Sequence, residues 1–174
     1  MAAKEILIIA GPNGAGKTTF AFRYLGLEQR GIPFVNADLI ASGLDPTEPG
    51  RADIQAGRLM LAELDRHAQE GHSFAFETTL SGRGYLRKIR GWRADGYRVS
   101  LIFLSLPSAE DAVRRVAQRV SRGGHDVPPD VVRRRFAAGL RNLREQYSHE
   151  VDIWVLYDNR HDRPTVIERG GMDD

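Results

Sequence analysis

The sequence predicts an α/β fold, a parallel sheet of about five strands flanked by helices. Short apolar runs alternate with longer segments of helical periodicity along most of the chain, which is the pattern of parallel β-α-β units. A glycine-rich loop follows the first apolar run and precedes a helical segment. Because 174 residues are the size of one domain with one hydrophobic core, we expect a single domain over residues 1–174.

Five short apolar runs predict the strands. The first reads ILIIA and is apolar throughout, as expected for a parallel strand that is buried on both faces. In such sheets, ligands bind beyond the carboxyl ends of the strands. We therefore expect the residues that follow the first three strands to share one edge of the sheet. The predicted strands cover residues 6–10, 33–35, 73–76, 99–106 and 153–156.

Helical segments lie between the predicted strands. Gly71 and Gly96 are expected to end the second and third helices, because glycine often follows the last helical turn. Ser108 is expected to begin the fourth helix with Asp111 as its capping partner, and a pair of prolines starts the fifth. The predicted helices cover residues 18–27, 52–70, 85–94, 108–121 and 128–150.

The glycine-rich loop carries the strongest functional signal. Residues 11–18 read GPNGAGKT and fit the pattern G-x-x-x-x-G-K-[ST] at every fixed position. Glycines let backbone N–H groups point inward as an anion nest, and the following helix adds its N-terminal partial positive charge. The fold is therefore predicted to be a P-loop NTPase that binds ATP and Mg²⁺. The expected nucleotide-binding residues are Gly11, Pro12, Asn13, Gly14, Ala15, Gly16, Lys17, Thr18 and Thr19.

Two residues of this loop have specific expected roles. Lys17 can reach the β- and γ-phosphates, and the Thr18 hydroxyl can ligate Mg²⁺. The loop alone does not separate kinases from hydrolases that use the triphosphate for movement or signalling. The sequence has no Asn-Lys-x-Asp guanine reader and no apolar strand that ends in Asp. These absences weaken both hydrolase alternatives and leave them open.

Polar residues at the ends of the second and third strands form a candidate acceptor site. Asp38, close after Asn36, is the candidate general base, because a kinase must accept the proton of the attacking hydroxyl. The alternative role for Asp38 is the N-cap of a short helix at 39–41, and the two roles are compatible. Glu77, Thr78 and Thr79 could bind a polar acceptor, or Glu77 could organise Mg²⁺ through water. Their alternative role is a capped strand-to-helix turn.

Arginines are concentrated around a Gly-Gly pair and predict a short helical lid over about residues 119–135. Arg115, Arg119 and Arg122 have the spacing of one helical face, and Gly123-Gly124 could act as a hinge. Arginine stabilises the charge on a phosphoryl group in transfer, and lid closure excludes water. The alternative is a solvated basic helix.

The composition excludes several other classes of function. The chain has no cysteine, which excludes disulfides and thiol chemistry. Lys and Arg total 25 against 23 Asp and Glu, and aromatic residues are not interleaved with the arginines, so nucleic-acid binding is not indicated. No apolar stretch approaches the roughly 20 residues that span a bilayer. We expect a cytoplasmic protein without a membrane segment.

Four segments in order, GPNGAGKTTF, FVNADLI, FAFETTLSG and SRGGHDVPPDVVRRRF, resemble the zeta-toxin-like family of small P-loop kinases. Characterised members of that family phosphorylate a hydroxyl of the aminosugar in UDP-N-acetylglucosamine. The resemblance implies an ATP-dependent kinase of a hydroxyl-bearing small molecule, with a UDP-sugar as the first acceptor to consider and an antitoxin protein as a possible partner. The larger toxins carry more sequence around the sugar-nucleotide pocket, for which this chain has little room.

The resemblance also assigns roles to particular residues. Asp38 matches the catalytic base, and Glu77 with Thr79 matches a substrate-binding Glu-x-Thr element. Arg122, with Arg119 or Arg135, corresponds to the lid arginines that contact ATP, and Arg122 is thereby a candidate catalytic residue. Two other functions use the same residues and stay open: a nucleic-acid end kinase, and a binding module whose nucleotide state controls a protein partner.

Overall fold

The computed structural model describes residues 4–28, 30–44 and 49–171. Residues 1–3, 29, 45–48 and 172–174 of the expected domain lie outside the described residues. The strands are β1 (Lys4–Ala10), β2 (Phe34–Val35), β3 (Phe74–Thr78), β4 (Tyr97–Ser105), β5 (Ile153–Asp158) and β6 (Thr165–Gly171). The helices are α1 (Lys17–Arg23), α2 (Ala37–Ser42), α3 (Pro49–Gln69), α4 (Tyr85–Ala94), α5 (Ala109–Val120) and α6 (Pro129–Glu145), followed by a 3₁₀-helix (Tyr147–His149).

The strands form one sheet in the order β2-β3-β1-β4-β5-β6. The first five strands in the chain run parallel, and β6 pairs antiparallel with β5. The predicted fold class, a P-loop α/β fold with helices around a mainly parallel sheet, is confirmed. β1 lies between β3 and β4: the chain passes from β1 out to β2, returns to β3 beside β1, and then crosses over β1 to β4 on its other side. The carboxyl end of β1 therefore lies at the crevice where such sheets bind ligands.

The sixth strand was missed by the sequence analysis, which predicted about five. β6 reads TVIERGG and is exposed along nearly its whole length, with Val166 and Ile167 56% and 55% exposed. An edge strand with so little burial has no apolar run from which it could be recognised.

β5 ends at Asp158, two residues beyond the predicted end at 156. The expectation that no apolar strand ends in Asp is therefore wrong, and it does not weaken the hydrolase alternative.

Several predicted helix boundaries also differ from the structure. α1 ends at Arg23 rather than at residue 27. The chain has already left the helix at Gly26, which has φ +56°. α6 ends at Glu145 rather than 150, because Gln146 leaves the helical region with φ −132° and ψ −65°. The short helix expected as an alternative at 39–41 is present as α2 and begins two residues earlier, at Ala37. The helix at Tyr85–Ala94 and the Ser108 cap, which accepts from the Asp111 N–H at 3.1 Å, are confirmed.

Buried apolar side chains pack on both faces of the sheet, and β1 contributes to both. Ile6 and Ile8 pack with β3 and with side chains of α3 and α4, while Ile9 packs on the α1 side with Leu27. A further cluster beside the phosphate loop joins α1, α5 and α6, with Phe20 among its members. No helix among the described residues is long and apolar enough to cross a membrane. The packed sheet fixes the strand ends from which the site is built.

Candidate active site

The glycine-rich loop connects β1 to α1 at the carboxyl edge of the sheet. Gly11 has φ +146°, and a Cβ there would lie 2.4 Å from the Leu104 carbonyl oxygen. Gly14 has φ +81°, and a Cβ there would lie 2.9 Å from the Ala112 carbonyl oxygen. Both the backbone conformation and the close approach of β4 and α5 therefore require glycine.

Lys17 is the first residue of α1, and its side chain is buried within the loop. Its ammonium donates hydrogen bonds to the carbonyls of Gly11 at 3.0 Å and Pro12 at 3.1 Å. Pro12 and Ala15 are themselves buried and line neither of the two cavities that adjoin the loop. They shape the loop from inside, while its open side presents Asn13, glycines and the start of α1.

Four charged side chains surround Lys17. Burial lowers the pKa of the Lys17 ammonium, and the carboxylates of Glu77 and Asp38 oppose that shift. The positive charges of Arg119 and Arg135 add to the lowering. One ammonium group is thus surrounded by the predicted base, the Glu-x-Thr carboxylate and two predicted lid arginines. Such a cluster of charges is expected at a site that binds a highly charged ligand.

A chain of hydrogen bonds joins the first turn of α1 to the ends of β2 and β3. The Thr18 hydroxyl donates to Glu77 Oε2 at 2.7 Å, and the Asn36 side-chain amide donates to Thr18 Oγ1 at 3.2 Å. Hydroxyl and carboxylate oxygens are the ligands that Mg²⁺ prefers. The donor set at Thr18 and Glu77 therefore fits a magnesium ion.

Asn36, not Asp38, is the N-cap of α2, so the capping alternative for Asp38 is wrong. Asn36 Oδ1 accepts from the backbone N–H groups of Asp38 at 2.7 Å and Leu39 at 3.2 Å. Asn36 has the extended backbone of a capping residue, φ −140° and ψ 122°. Asp38 lies in the first helical turn, and its carboxylate lines a cavity beside Lys17.

Two cavities meet at Lys17 and Glu77, which line both of them. The phosphate-loop cavity, of about 600 Å³, is bounded by the loop and by the end of α5. The carboxylate cavity, of about 240 Å³, is bounded by the ends of β2 and β3 and by α3. The phosphate-loop cavity is lined by Gly14, Gly16, Thr18, Thr19, Arg115, Arg119 and Arg122 among others. The carboxylate cavity is lined by Asn13, Asn36, Asp38, Thr78, Thr79 and Arg135 among others.

The loop after β3 is held from the side of α6. The Thr78 hydroxyl accepts from the Leu80 N–H at 3.0 Å, which is a local turn interaction. The buried Asn142 side chain donates to the Leu80 carbonyl at 2.9 Å. Gly139 lies so close that a Cβ there would be 2.6 Å from the Thr79 carbonyl oxygen. Thr79 therefore has a fixed position on the cavity wall.

The predicted lid arginines have different environments. Arg119 donates to the His125 carbonyl at 2.8 Å, and its buried Nε has no hydrogen-bond partner in the described part of the chain. Arg122 is exposed. Arg135 lines the carboxylate cavity and donates to Asn13 Oδ1 at 3.4 Å.

Arg115, the third arginine of the predicted helical face, stabilises the phosphate loop indirectly. Arg115 donates to the backbone carbonyls of Asn159 at 3.1 Å and Arg160 at 2.8 Å. The Asn159 side chain in turn donates to the Ala15 carbonyl at 2.6 Å. Arg115 thus lines the phosphate-loop cavity with Arg119 and Arg122, as expected from their spacing on one helical face. Its guanidinium, however, stabilises the phosphate loop through the segment after β5.

Several residues of the carboxylate cavity have no signal in the sequence, whereas His125, in the arginine-rich segment, was expected as a loop or substrate contact. Asp53, Ala56 and Met60 reach the cavity from α3, and Tyr85 from the start of α4. His125 Nε2 lies 3.9 Å from Asp53 Oδ1 across the cavity mouth. No local motif marks these residues, because they meet only when α3 packs beside the loop after α5.

The fold and the phosphate loop define a P-loop protein of kinase-like architecture. The chain belongs to the AAA domain family AAA_33, whose sequence pattern matches residues 6–146. An uncharacterised protein of Haemophilus influenzae is 29% identical over 133 residues, which cover 76% of this chain and 92% of that protein.

Solved structures share the fold at low sequence identity. A chain of the AvrRxo1-ORF1:ORF2 complex with ATP matches with TM-score 0.77 and 17% identity over 96% of this chain and 58% of its own length. A chain of the PezAT chromosomal toxin–antitoxin system of Streptococcus pneumoniae matches with TM-score 0.65 and 16% identity over 97% and 72%. A gluconokinase from Sinorhizobium meliloti matches with TM-score 0.53 and 17% identity over 91% and 83%.

Proposed function

We propose that this chain is an ATP-dependent kinase that phosphorylates a hydroxyl group of a small molecule. One observation carries the proposal: the phosphate-loop cavity and the carboxylate cavity meet at Lys17 and Glu77. A kinase needs two adjoining sites with the γ-phosphate at their junction, whereas a hydrolase or a nucleotide-gated switch needs only the first. The kinase folds of the structural relatives agree with this proposal.

The nucleotide occupies the phosphate-loop cavity in this proposal. Backbone N–H groups of the loop and the Lys17 ammonium bind the phosphates. Arg119 and Arg122 contact the nucleotide from the end of α5, and Arg135 reaches the transferring group from the acceptor side. The buried Nε of Arg119 has no hydrogen-bond partner within residues 4–28, 30–44 and 49–171, which supports this role because a phosphate oxygen would give it an acceptor.

Thr18 and Glu77 would hold Mg²⁺, the Thr18 hydroxyl directly and Glu77 directly or through water. When bound, the ion supplies charge neutralisation on the phosphates. The hydrogen bond from Asn36 to Thr18 keeps the hydroxyl in place. Asn36 thereby links the metal-binding residues to the helix that carries Asp38.

Asp38 acts as the general base. The acceptor hydroxyl oxygen forms a bond to the γ-phosphorus while the bond from that phosphorus to the bridging oxygen of ADP breaks. Asp38 takes the hydroxyl proton and later releases it to solvent, and ADP leaves with the electron pair of the broken bond. The N-cap provided by Asn36 supports this role, because it leaves the Asp38 carboxylate free of the capping function.

The acceptor binds in the carboxylate cavity, and its size favours a compact polar group. A volume of about 240 Å³ lies below the roughly 300–1,000 Å³ of pockets for drug-sized ligands. A single sugar unit, free or as the sugar end of a UDP-sugar such as UDP-N-acetylglucosamine, is the acceptor we propose. Its hydroxyls would meet Glu77 and Thr79 on one wall and Asp53 and His125 at the mouth.

A protein partner is a further part of the proposal. The AvrRxo1 and PezAT structures contain a second protein, so an antitoxin-like partner is a reasonable expectation for a protein of this fold.

The test is incubation of the purified protein with ATP, Mg²⁺ and a bacterial metabolite extract supplemented with UDP-N-acetylglucosamine, followed by mass spectrometry of new phosphorylated species. Lys17→Ala and Asp38→Asn proteins serve as controls. The proposal expects a phosphorylated metabolite that is absent with both variants. Free phosphate as the only product would refute it. Phosphorylation of a hydroxyl-ended oligonucleotide added in parallel would instead identify a nucleic-acid end kinase.

A further inference from the structure

The end of α3 opposite to the carboxylate cavity carries a second cluster of polar side chains, His67, Glu70 and His72. α3 ends in a Schellman motif: the His72 N–H donates to the His67 carbonyl at 3.0 Å and the Gly71 N–H to the Ala68 carbonyl at 3.2 Å. Gly71 has φ +74°, as the motif requires. The side chains at the two outer positions of this motif commonly contact each other. Here both outer residues are histidines.

The capping motif therefore builds a histidine pair with a carboxylate beside it. The rings of His67 and His72 have centroids 6.0 Å apart. His72 Nδ1 lies 3.2 Å from Glu70 Oε2. One ligand atom from each of the three side chains lies within 4.8 Å of the other two. Two imidazole nitrogens and a carboxylate oxygen form a ligand set typical of zinc.

His67 is the fixed member of the cluster. It is 6% exposed and stacks on Phe74 with ring centroids 5.6 Å apart. Its Nδ1 has no hydrogen-bond partner among the described residues, so the buried imidazole is incompletely satisfied. Burial, followed by the charge of Arg66, lowers the pKa of His67.

The backbone of the same turn is held by a tyrosine. The Tyr97 hydroxyl lies 3.5, 3.2 and 3.1 Å from the carbonyl oxygens of His67, Ala68 and His72. The two histidines are thus attached to a turn of fixed geometry, whereas Glu70 and the His72 side chain are exposed and can move toward a ligand.

Arg66 is the cation that now occupies the edge of the cluster. Its Nη1 donates to Glu70 at 2.7 Å, and its Nη2 lies 3.5 Å from His67 Nε2. Arg66 also pairs with Glu63 through Nε at 3.0 Å and Nη2 at 2.8 Å. It can therefore release Glu70 and keep Glu63 as its partner. A metal ion would compete with Arg66 for the carboxylate.

We infer that His67, Glu70 and His72 form a divalent metal site of the zinc type, with water as the fourth ligand. Metal–ligand distances of about 2.0–2.2 Å require the three atoms to come closer together, and the exposed Glu70 and His72 supply that movement. Because the site joins the end of α3 to the segment before β3, the bound ion stabilises this junction. The inference is independent of the proposed kinase activity, since it concerns the other end of α3.

The test uses the full chain without an affinity tag and two probes, Zn²⁺ by calorimetry and Co²⁺ by its visible absorption. We expect one Zn²⁺ per chain with micromolar affinity, a tetrahedral Co²⁺ spectrum and a raised melting temperature. His72→Gln should weaken Zn²⁺ binding by about tenfold or more. Arg66→Gln should strengthen it several-fold, because the competing cation is removed.

His161→Gln is the matched control, since His161 is exposed and lies outside the cluster. It should leave Zn²⁺ binding unchanged. The exposed position of His72 makes loss of folding in His72→Gln unexpected, and circular dichroism checks this directly. No binding by the wild-type chain, or equal binding by the wild-type and His72→Gln proteins, would overturn the inference.

Discussion

The Thr18 hydroxyl donates a 2.7 Å hydrogen bond to the Glu77 carboxylate, and this bond joins the first turn of α1 to the end of β3. Both residues were predicted from the sequence to act at one edge of the sheet, Thr18 as a Mg²⁺ ligand and Glu77 either as an acceptor-binding residue or as an organiser of Mg²⁺ through water. Their contact connects these roles. In the proposed kinase, magnesium binding and acceptor binding share one carboxylate, and the residues around it can be tested separately.

Glu77→Gln keeps the size of the side chain and an oxygen that Thr18 can donate to, but it removes the charge. We expect the Mg²⁺ concentration for half-maximal activity to rise about tenfold or more. Titration of activity with Mg²⁺ at saturating ATP measures this. An unchanged Mg²⁺ requirement would exclude Glu77 from the metal site and leave it only an acceptor-binding role.

Asp38→Asn should separate binding from chemistry. The variant retains shape and loses the proton acceptor, so we expect turnover to fall by about 10²–10⁴ with little change in ATP affinity measured by calorimetry. Asp53→Asn is the matched control, because Asp53 lines the same cavity at its mouth. It should affect the KM of the acceptor more than turnover. Equal turnover by Asp38→Asn would remove Asp38 from the mechanism.

Lys17→Met should abolish ATP binding and lower the stability of the nucleotide-free protein. The buried Lys17 ammonium donates to the Gly11 and Pro12 carbonyls, so an apolar side chain of similar length leaves both carbonyls without this donor. The desolvation cost of the ammonium, which lowers the Lys17 pKa, offsets part of this loss. We expect the free energy of unfolding to fall by about 1–3 kcal/mol, measured by urea denaturation without nucleotide. A rise in stability would show that the desolvation cost exceeds the contribution of the two hydrogen bonds.

Gly139→Ala should displace Thr79, which lines the proposed acceptor cavity. The added Cβ would lie 2.6 Å from the Thr79 carbonyl oxygen, so we expect a loss of about 1–3 kcal/mol of stability and a raised acceptor KM. Gly91→Ala is the control, since Gly91 lies in α4 with nothing within 4 Å of an added Cβ. That substitution should stabilise the protein by about 0.5–1 kcal/mol. Similar effects of the two substitutions would contradict the close contact.

Arg119→Ala should lower turnover, because Arg119 is the lid arginine whose charge acts on Lys17 and whose Nε has no partner among the described residues. We expect a loss of about 10²–10³ in turnover, the range for removal of one transition-state donor. Arg133→Ala is the matched control, since Arg133 pairs with Glu110 at 2.6 Å on the surface. Steady-state kinetics of both variants measure the effect. A loss confined to Arg119→Ala would show that the position of the arginine matters, whereas equal losses in both variants would show that only the overall positive charge matters.

The parts that were predictable are those with a local signal. The phosphate loop follows a buried strand directly, Asp38 follows β2, and Glu77 lies at the end of β3; the apolar runs of these strands are visible in the sequence. Parallel strands bring their carboxyl ends together, so the meeting of these residues at one edge followed from the fold class.

The rest depended on packing and backbone conformation. Asp53 and His125 meet across the cavity mouth only because α3 packs beside the loop after α5. Asn36 and Asp38 are both good capping residues, and only the extended backbone at Asn36 decides which one caps α2. The exposed strand β6 had no apolar run to reveal it.

The most direct test of the proposed kinase activity is to follow the γ-phosphoryl group of ATP. The measurement uses ATP with an isotope label in that group, incubated with protein, Mg²⁺ and a metabolite extract, and compares label in organic phosphate with label in inorganic phosphate. We expect most of the label to enter a phosphorylated metabolite, and we expect the Asp38→Asn protein to fail to transfer it. Label found only in inorganic phosphate, at equal rates for the wild-type and Asp38→Asn proteins, would show that the protein is not a kinase that uses Asp38.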